Sequence, residues 1–201
     1  MQKSTGSIGG NGHGGAIYGE TTAASLQRVV DLLKRECGLD AHSAFIDVGS
    51  GLGKPPLHVA QDPGVAVAFG VEMEHVRWQL GMANQVAVIR ESGGGGGGAR
   101  GGGDDPSARV YFQHCDIREA ATFDPFSHVY MFDIGFPPTL FGELAAKFNA
   151  SACPRWLISY QPPRRIERDY GFKVQMKYKV FTAMHGSSEG HTAYILSLIH
   201  I

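Results

Sequence analysis

This chain of 201 residues has few cysteines, a small net charge and no long apolar run. The three cysteines, Cys37, Cys115 and Cys153, are odd in number and far apart, which excludes a disulfide framework and favours free thiols in a reducing compartment. None stands in a C-x-x-C pair and the histidines show no ligand spacing, so we expect no metal site. No apolar run approaches the roughly 18 residues of a membrane span, so we expect a soluble, intracellular protein.

Charge is nearly balanced, with a formal net charge of −1 at pH 7. No whole-molecule field therefore draws the chain to phosphate, and any contact with nucleic acid has to be local. The chain has one basic cluster, which consists of Arg164, Arg165, Arg168, Lys173, Lys177 and Lys179. Two interpretations stay open for it: a surface for an acidic or phosphate-bearing partner, or solvated side chains that protect an edge strand.

Glycine, by contrast, is abundant, and its distribution divides the chain. Residues 1–15 are rich in Gly and Ser and predict a flexible leader. The nearly pure glycine run at 93–103 predicts a disordered surface loop within one catalytic domain over residues 16–201. A phosphate cradle is disfavoured there, because phosphate loops place a few glycines at set offsets after a strand.

One glycine turn does follow an apolar strand. Residues 45–53 read Phe-Ile-Asp-Val-Gly-Ser-Gly-Leu-Gly, and Glu72 ends the next apolar stretch. Such a turn lets backbone N–H groups approach a ligand, and an acid at the tip of the following strand can hold a ribose. The dinucleotide fingerprint needs its third glycine where this chain has Lys54. The spacing therefore favours S-adenosylmethionine over NAD as cofactor.

Helical and strand-like periods alternate along the rest of the chain. A helix capped by Thr21 or Thr22 and ended by Gly38 is followed by strands at 44–48, 65–71, 109–114, 128–132 and 155–159. Further helices are predicted to begin at Pro55 and Pro56, near His75 and at Thr139. Residues 172–182 and 192–199 form a hairpin, because no helical segment separates them. A parallel βα series closed by an antiparallel hairpin predicts the Rossmann-like α/β fold of class I S-adenosylmethionine-dependent methyltransferases.

Acids follow three of the predicted strands, at the edge where a ligand binds in such sheets. Asp47 can orient the glycine turn or accept a hydrogen bond from the amino group of the cofactor. Glu72 is placed for bidentate bonding to both ribose hydroxyls, with Glu74 as its rival. Asp116 can accept from the adenine amino group while Ile117 packs on the ring.

The run Tyr130-Met-Phe-Asp-Ile-Gly-Phe-Pro-Pro138 ends the fourth predicted strand. We expect Asp133 where the reacting methyl group lies, because a carboxylate there can hold an amine nucleophile and help to remove its proton. Phe136 is expected to line one side of the acceptor channel. The alternative is that Asp133 only caps a helix.

Tyr18-Gly-Glu-Thr21 is too short to be core and predicts a lid over the cofactor. With the glycine turn, Glu72, Asp116 and the run at 132–136, it resembles in order and spacing the disruptor-of-telomeric-silencing (Dot) family of non-SET histone lysine methyltransferases, most closely its protozoan branch. The resemblance covers roughly residues 17–198.

The resemblance implies a seven-stranded Rossmann-like domain that methylates a lysine in the globular core of a histone, within nucleosomes in the nucleus. It implies that the cofactor is lined by Tyr18, Glu20, Thr21, Gly49, Gly51, Glu72, Asp116 and Ile117. Asp133 falls where many family members have asparagine, and a carboxylate there would favour the charged, unreactive lysine. Tyr194 corresponds to an aromatic residue of the lysine channel.

Two alternatives remain at this point. The Asp-Ile-Gly-Phe-Pro-Pro run partly matches the Asp-Pro-Pro-Tyr loop of nucleic-acid amino-methyltransferases, although here the prolines follow the aromatic residue. A non-catalytic chromatin-binding module is the other alternative. It is motivated by the missing asparagine and by the absence of the lysine-rich segment that family members often carry.

Overall fold

The structure is a computed structural model that describes residues 19–93, 106–185 and 190–199. Its strands are β1 (Ala44–Val48), β2 (Val67–Glu72), β3 (Val110–His114), β4 (His128–Met131), β5 (Trp156–Ser159), β6 (Val174–Ala183) and β7 (Gly190–Leu198). Its α-helices are α1 (Ala23–Cys37), α2 (Lys54–Gln61), α3 (His75–Gly93) and α4 (Pro138–Ala150). Tyr18, the leader at 1–15 and the glycine loop beyond Gly93 lie outside the described residues.

All seven strands form one sheet in the order β3-β2-β1-β4-β5-β7-β6. The first five are parallel to their neighbours, whereas β7 is antiparallel to both β5 and β6. This arrangement confirms the predicted mostly parallel, Rossmann-like sheet with its C-terminal hairpin. The order reverses between β1 and β4, so the carboxyl ends of these two strands flank the crevice in which ligands of such sheets bind.

Predicted and observed strands differ at several ends, and two of these differences have a clear local cause. β2 begins two residues later than predicted, because the N–H groups of Val65 and Ala66 donate to Val59 and Ser43 rather than to a strand. β4 ends at Met131, because Phe132 leaves the extended conformation at φ −85° and ψ 77° before a 3₁₀ turn over Asp133–Gly135. The second difference changes which side chain meets the crevice.

The two faces of the sheet bury separate apolar clusters. Side chains of α1 and α2 pack with β1 on one face, and those of α4 pack with β4 and β5 on the other. Helix α1 has the predicted ends, since the Thr22 side chain accepts from the Ser25 N–H and Gly38 adopts φ 68°. The central strands β1, β4 and β5 are thus covered on both sides, which leaves the carboxyl-terminal edge of the sheet for a ligand.

Gly53 is expected to tolerate no side chain. Its φ is +82°, and a Cβ atom there would overlap the ring of Phe112. We expect Gly53→Ala to lower the free energy of unfolding by about 2 kcal/mol, measured by urea denaturation. Gly142→Ala is the matched control, because Gly142 lies in α4 with no atom within 4 Å of the place its Cβ would occupy, and alanine there should not destabilise. Equal destabilisation by both substitutions would contradict this expectation.

Candidate functional site

The glycine turn after β1 is closed by hydrogen bonds from its own backbone. The N–H groups of Gly49 and Ser50 both donate to the carbonyl of Val71, at 2.8 and 2.9 Å. Gly49 and Gly51 have φ values of 76° and 55°, which residues with a side chain rarely adopt. At Gly49 and Gly51 the turn therefore brings main chain without a side chain to the edge of the crevice.

Glu72 connects this turn to the tip of β2. One carboxylate oxygen, Oε2, accepts from the Gly51 N–H at 2.8 Å, and the other, Oε1, accepts from the Glu74 N–H at 2.9 Å. Only 4% of the residue is exposed. Each oxygen has a further lone pair, so a carboxylate held in this fixed position can still accept from the hydroxyl groups of a ligand. The geometry distinguishes Glu72 from its rival Glu74, whose side chain is exposed.

Asp47 lies beside this site at the end of β1 and is also buried. Burial, followed by the negative charge of Glu72, raises the pKa of the Asp47 carboxyl well above its usual value. Within the described part of the chain, no hydrogen bond to this carboxyl is found, although it lines the crevice. Because it lines the crevice and its oxygens keep free lone pairs, this carboxyl is suited to a ligand that donates to it.

The crevice is one cleft with two halves. The turn half is lined by Glu20, Thr21, Asp47, Ser50, Gly51, Lys54, Pro55 and Tyr130. The Glu72 half is lined by Val48, Val71, Glu72, Met73, Glu74, Arg77, Cys115, Asp116, Ile117, Gly135, Phe136, Pro137 and Leu140. Gly19, Gly49 and Phe132 line both. The cleft thus runs from the amides of the glycine turn to the acids that follow β2 and β3.

Asp116 and Ile117 lie together at the far end of the Glu72 half, as the sequence predicted. The Asp116 carboxylate accepts from the backbone N–H and the guanidinium of Arg118, and these bonds hold its pKa below the usual range. Ile117 is 7% exposed and offers an apolar surface beside that charge. A flat, polar-edged ring would meet an acceptor and an apolar contact here.

The segment before α1 crosses the turn half, where a lid was predicted. Thr21 forms an isolated antiparallel bridge with Met184, and the His185 N–H donates to the Glu20 carbonyl at 2.7 Å. The Glu20 carboxylate accepts from Lys54 Nζ at 2.5 Å. Glu20 and Thr21 therefore line the cleft as predicted, and the end of β6 holds them in place.

Asp133 does not lie where the sequence placed it. Its side chain is fully buried and lines neither half of the cleft. Oδ2 accepts from the Ser159 hydroxyl at 2.5 Å and Oδ1 from the Tyr160 N–H at 2.8 Å, so the carboxyl faces β5. Burial raises its pKa to about 7. The correction has a simple cause, because β4 ends one residue earlier than predicted and turns this side chain inward. Asp133 is not a helix cap either, since Phe132 precedes the 3₁₀ turn as its cap residue.

Phe132 is the residue that sequence reasoning missed. It lines both halves of the cleft. The centroid of its ring lies 4.6 Å from the ring centroid of Tyr160 and 6.1 Å from that of His191. The alternation of side chains along a strand held the signal, because Phe132 packs with the same apolar cluster as Tyr130, whereas Met131 belongs to the cluster on the other face.

Of the two aromatic residues predicted for the acceptor channel, the structure places one on the cleft. Phe136 lines the Glu72 half and packs against Gly49, where an added Cβ would lie 3.1 Å from the Phe136 ring. Tyr194 lies on β7, where it pairs with Ser159 of β5, and it packs against the apolar cluster that includes residues of α4. Tyr194 lines neither half, and its place in a lysine channel stays a prediction.

The basic cluster lies away from the cleft. Arg165 and Arg168 belong to a π-helical turn over Arg165–Asp169, and Lys177 and Lys179 stand on β6, the edge strand. All six side chains of the cluster are exposed, and none lines the cleft. Over residues 19–93, 106–185 and 190–199, no group of three or more metal-binding side chains occurs. None of the helices described is long and apolar enough to cross a membrane.

Comparison with known families finds a match over the part of the chain that contains the glycine turn and the predicted lid. Residues 12–90 match the family described as histone methylation protein DOT1. Over this segment the chain is similar to that family. The match contains the lid, the glycine turn and Glu72, and it ends before Asp116 and Phe132. No curated protein matches the chain, and its placement in a protozoan branch of the Dot family stays a prediction.

Solved structures share the fold of this chain at low sequence identity. An RNA methyltransferase from Salinibacter ruber in complex with S-adenosyl-L-homocysteine is 18% identical, with 90% of this chain and 95% of that chain covered at a TM-score of 0.62. Magnesium protoporphyrin IX methyltransferase from Synechocystis PCC 6803 is 14% identical, with 88% and 83% covered at 0.61. TrmK from M. capricolum is 11% identical, with 90% and 71% covered at 0.59. These likenesses confirm the class I methyltransferase fold.

Proposed function

We propose that this protein is an S-adenosylmethionine-dependent protein-lysine methyltransferase. The observation that carries the proposal is the pair of adjoining cavities, which share three lining residues and extend from the glycine turn and Asp47 to Glu72 and Asp116. The residues fit the cofactor, because the buried Asp47 carboxyl and the Glu72 carboxylate provide acceptors for its ammonium and ribose hydroxyl groups. Three solved structures of the same fold are named as complexes with its demethylated product.

Each part of the site then has a role in binding. The glycine turn and Asp47 hold the amino-acid end, Glu72 holds the ribose, and Asp116 with Ile117 holds the base. Tyr18 is assigned to the lid with Glu20 and Thr21. When bound, the cofactor supplies an electrophilic methyl group, and the protein contributes orientation and exclusion of water.

We assign the acceptor as a lysine in the globular core of a histone within nucleosomes, in the nucleus. The support is the family match over residues 12–90, whose description names histone methylation. The inward position of Asp133 removes an objection to a lysine substrate, because its carboxyl does not face the cleft and does not favour the charged amine. The exposed basic cluster on the π-helical turn and β6 is the surface that would contact nucleosomal DNA.

Transfer of labelled methyl groups tests this proposal. We expect the full chain to label a histone lysine in nucleosomes, and Glu72→Ala to lower that labelling at a fixed, limiting cofactor concentration. Free histones, RNA and DNA are tested in parallel. Label in RNA or DNA and not in histones would replace the acceptor assignment with nucleic acid. Binding of the cofactor without transfer to any of these substrates would favour the chromatin-binding module.

The nucleic-acid alternative has specific support and a specific difficulty. Solved structures of the same fold include RNA methyltransferases, although at these identities they show the fold alone. Its sequence argument depended on Asp133 acting like the first residue of an Asp-Pro-Pro-Tyr loop. Because Asp133 bonds to β5 and lies off the cleft, that argument is weakened, and the histone lysine remains the preferred acceptor.

A further inference from the structure

Phe132 is distinguished by its place at the junction of the two halves of the cleft. Three residues line both halves, and the other two, Gly19 and Gly49, have no side chain. The Phe132 ring packs under the lid, since a Cβ atom on Gly19 would lie 3.4 Å from its Cε1 atom. Contacts with the rings of Tyr160 and His191 hold it from behind. This junction therefore has one side chain among the described residues, and it is aromatic.

The chemistry of the cofactor indicates which group would meet that ring. In S-adenosylmethionine the positively charged sulfur connects the amino-acid portion to the nucleoside. A molecule with its amino acid in the turn half and its ribose in the Glu72 half has the sulfur between them. Asp47 lines only the turn half and Glu72 only the other, so neither carboxylate is placed at the junction.

We propose that Phe132 is a positioning residue that stabilises the sulfonium charge through its aromatic ring and so selects the methyl donor over its neutral product. This inference rests on the proposed function, because it requires the cofactor to occupy both halves. An aromatic ring attracts a cation, and this attraction is lost when methyl transfer leaves a neutral thioether sulfur. Release of the neutral product is then favoured by the same residue that favours binding of the donor.

The test compares two ligands that differ by one methyl group and one charge. Dissociation constants for S-adenosylmethionine and S-adenosylhomocysteine are measured by calorimetry with the full chain. We expect Phe132→Leu to weaken binding of the charged donor about tenfold more than binding of the neutral product, which corresponds to the upper part of the range for a cation on an aromatic face. Phe132→Tyr should keep the wild-type ratio of the two constants, because it keeps the ring.

Phe136→Leu is the matched control. Phe136 lines the Glu72 half alone, so its loss should change both dissociation constants by the same factor. Thermal denaturation checks that each variant folds. If Phe132→Leu does not fold, Phe132→Met serves as a second non-aromatic variant. An unchanged ratio in folded Phe132→Leu or Phe132→Met would overturn the role of Phe132 and leave the proposed function intact. Failure of the wild-type chain to bind either ligand would overturn the proposed function itself.

Discussion

Replacing Glu72 with alanine is expected to weaken binding of S-adenosylhomocysteine roughly a hundredfold. The Glu72 carboxylate would accept from two ribose hydroxyls, and hydrogen bonds to a charged group contribute about 1.5–3 kcal/mol each. The substitution also leaves the Gly51 and Glu74 N–H groups without their acceptor, which loosens the turn that binds the other end of the ligand. Calorimetric titration of the product into the wild type and the variant measures the effect.

Glu74→Ala is the control for that experiment. Glu74 also lines the cleft, but its contact with Glu72 uses the backbone N–H, which alanine retains. We expect its dissociation constant to stay within about threefold of wild type, as is usual for an exposed acid. Similar losses in the two variants would show that general negative charge, and not a positioned acceptor, explains the affinity.

Replacing Asp133 with asparagine is expected to stabilise the protein progressively as the pH rises. Burial raises the pKa of this carboxyl to about 7, far above its value in the unfolded chain. The folded form therefore binds a proton that the unfolded form has already lost, so wild-type stability falls as the pH rises from about 4 to about 7. Asparagine has no such proton, can accept from the Tyr160 N–H, and can donate to the Ser159 hydroxyl.

The free energy of unfolding, measured with urea at pH 5 and pH 8, gives the size of this effect. Two pH units lie between pH 5 and the raised pKa, so the advantage of Asp133→Asn over wild type should grow by roughly 3 kcal/mol between the two conditions. Asp124→Asn is the control. Hydrogen bonds from the Cys153 and Ala152 N–H groups lower the pKa of the exposed Asp124, so its effect should be the same at both pH values. A constant difference for Asp133→Asn would show that this carboxyl is ionised across the range.

Local patterns were sufficient to predict most of the sheet. The strand Ala44–Val48 and the helix ends at Thr22 and Gly38 were predicted correctly, because an apolar run, a capping hydroxyl and a left-handed glycine each act over a few residues. The antiparallel end of the sheet came from the same source, since a terminal run without helices cannot continue a parallel series. The positions of Glu72 and Asp116 followed directly from the ends of their strands.

The sequence did not predict which side chain lines the cleft where the answer depended on the end of a strand to within one residue. Whether Phe132 or Asp133 faces the cleft depends on where β4 ends, and apolar content alone did not separate 131 from 132. The bonds from Ser159 and Tyr160 that hold Asp133 join segments 26 and 27 residues apart. The bond between Gly51 and Glu72 likewise depends on the pairing of β1 with β2.

The bridge between Thr21 and Met184 connects the segment that lines the turn half of the cleft to the end of β6. The end of β6 and Lys54 together hold residues 20 and 21 beside the glycine turn, so fraying of the terminal hairpin would remove one of the two restraints on this segment. Ligand exchange and the local opening of that hairpin are therefore coupled events. A bound ligand that contacts Thr21 would, by the same coupling, protect backbone amides near Met184 from hydrogen exchange.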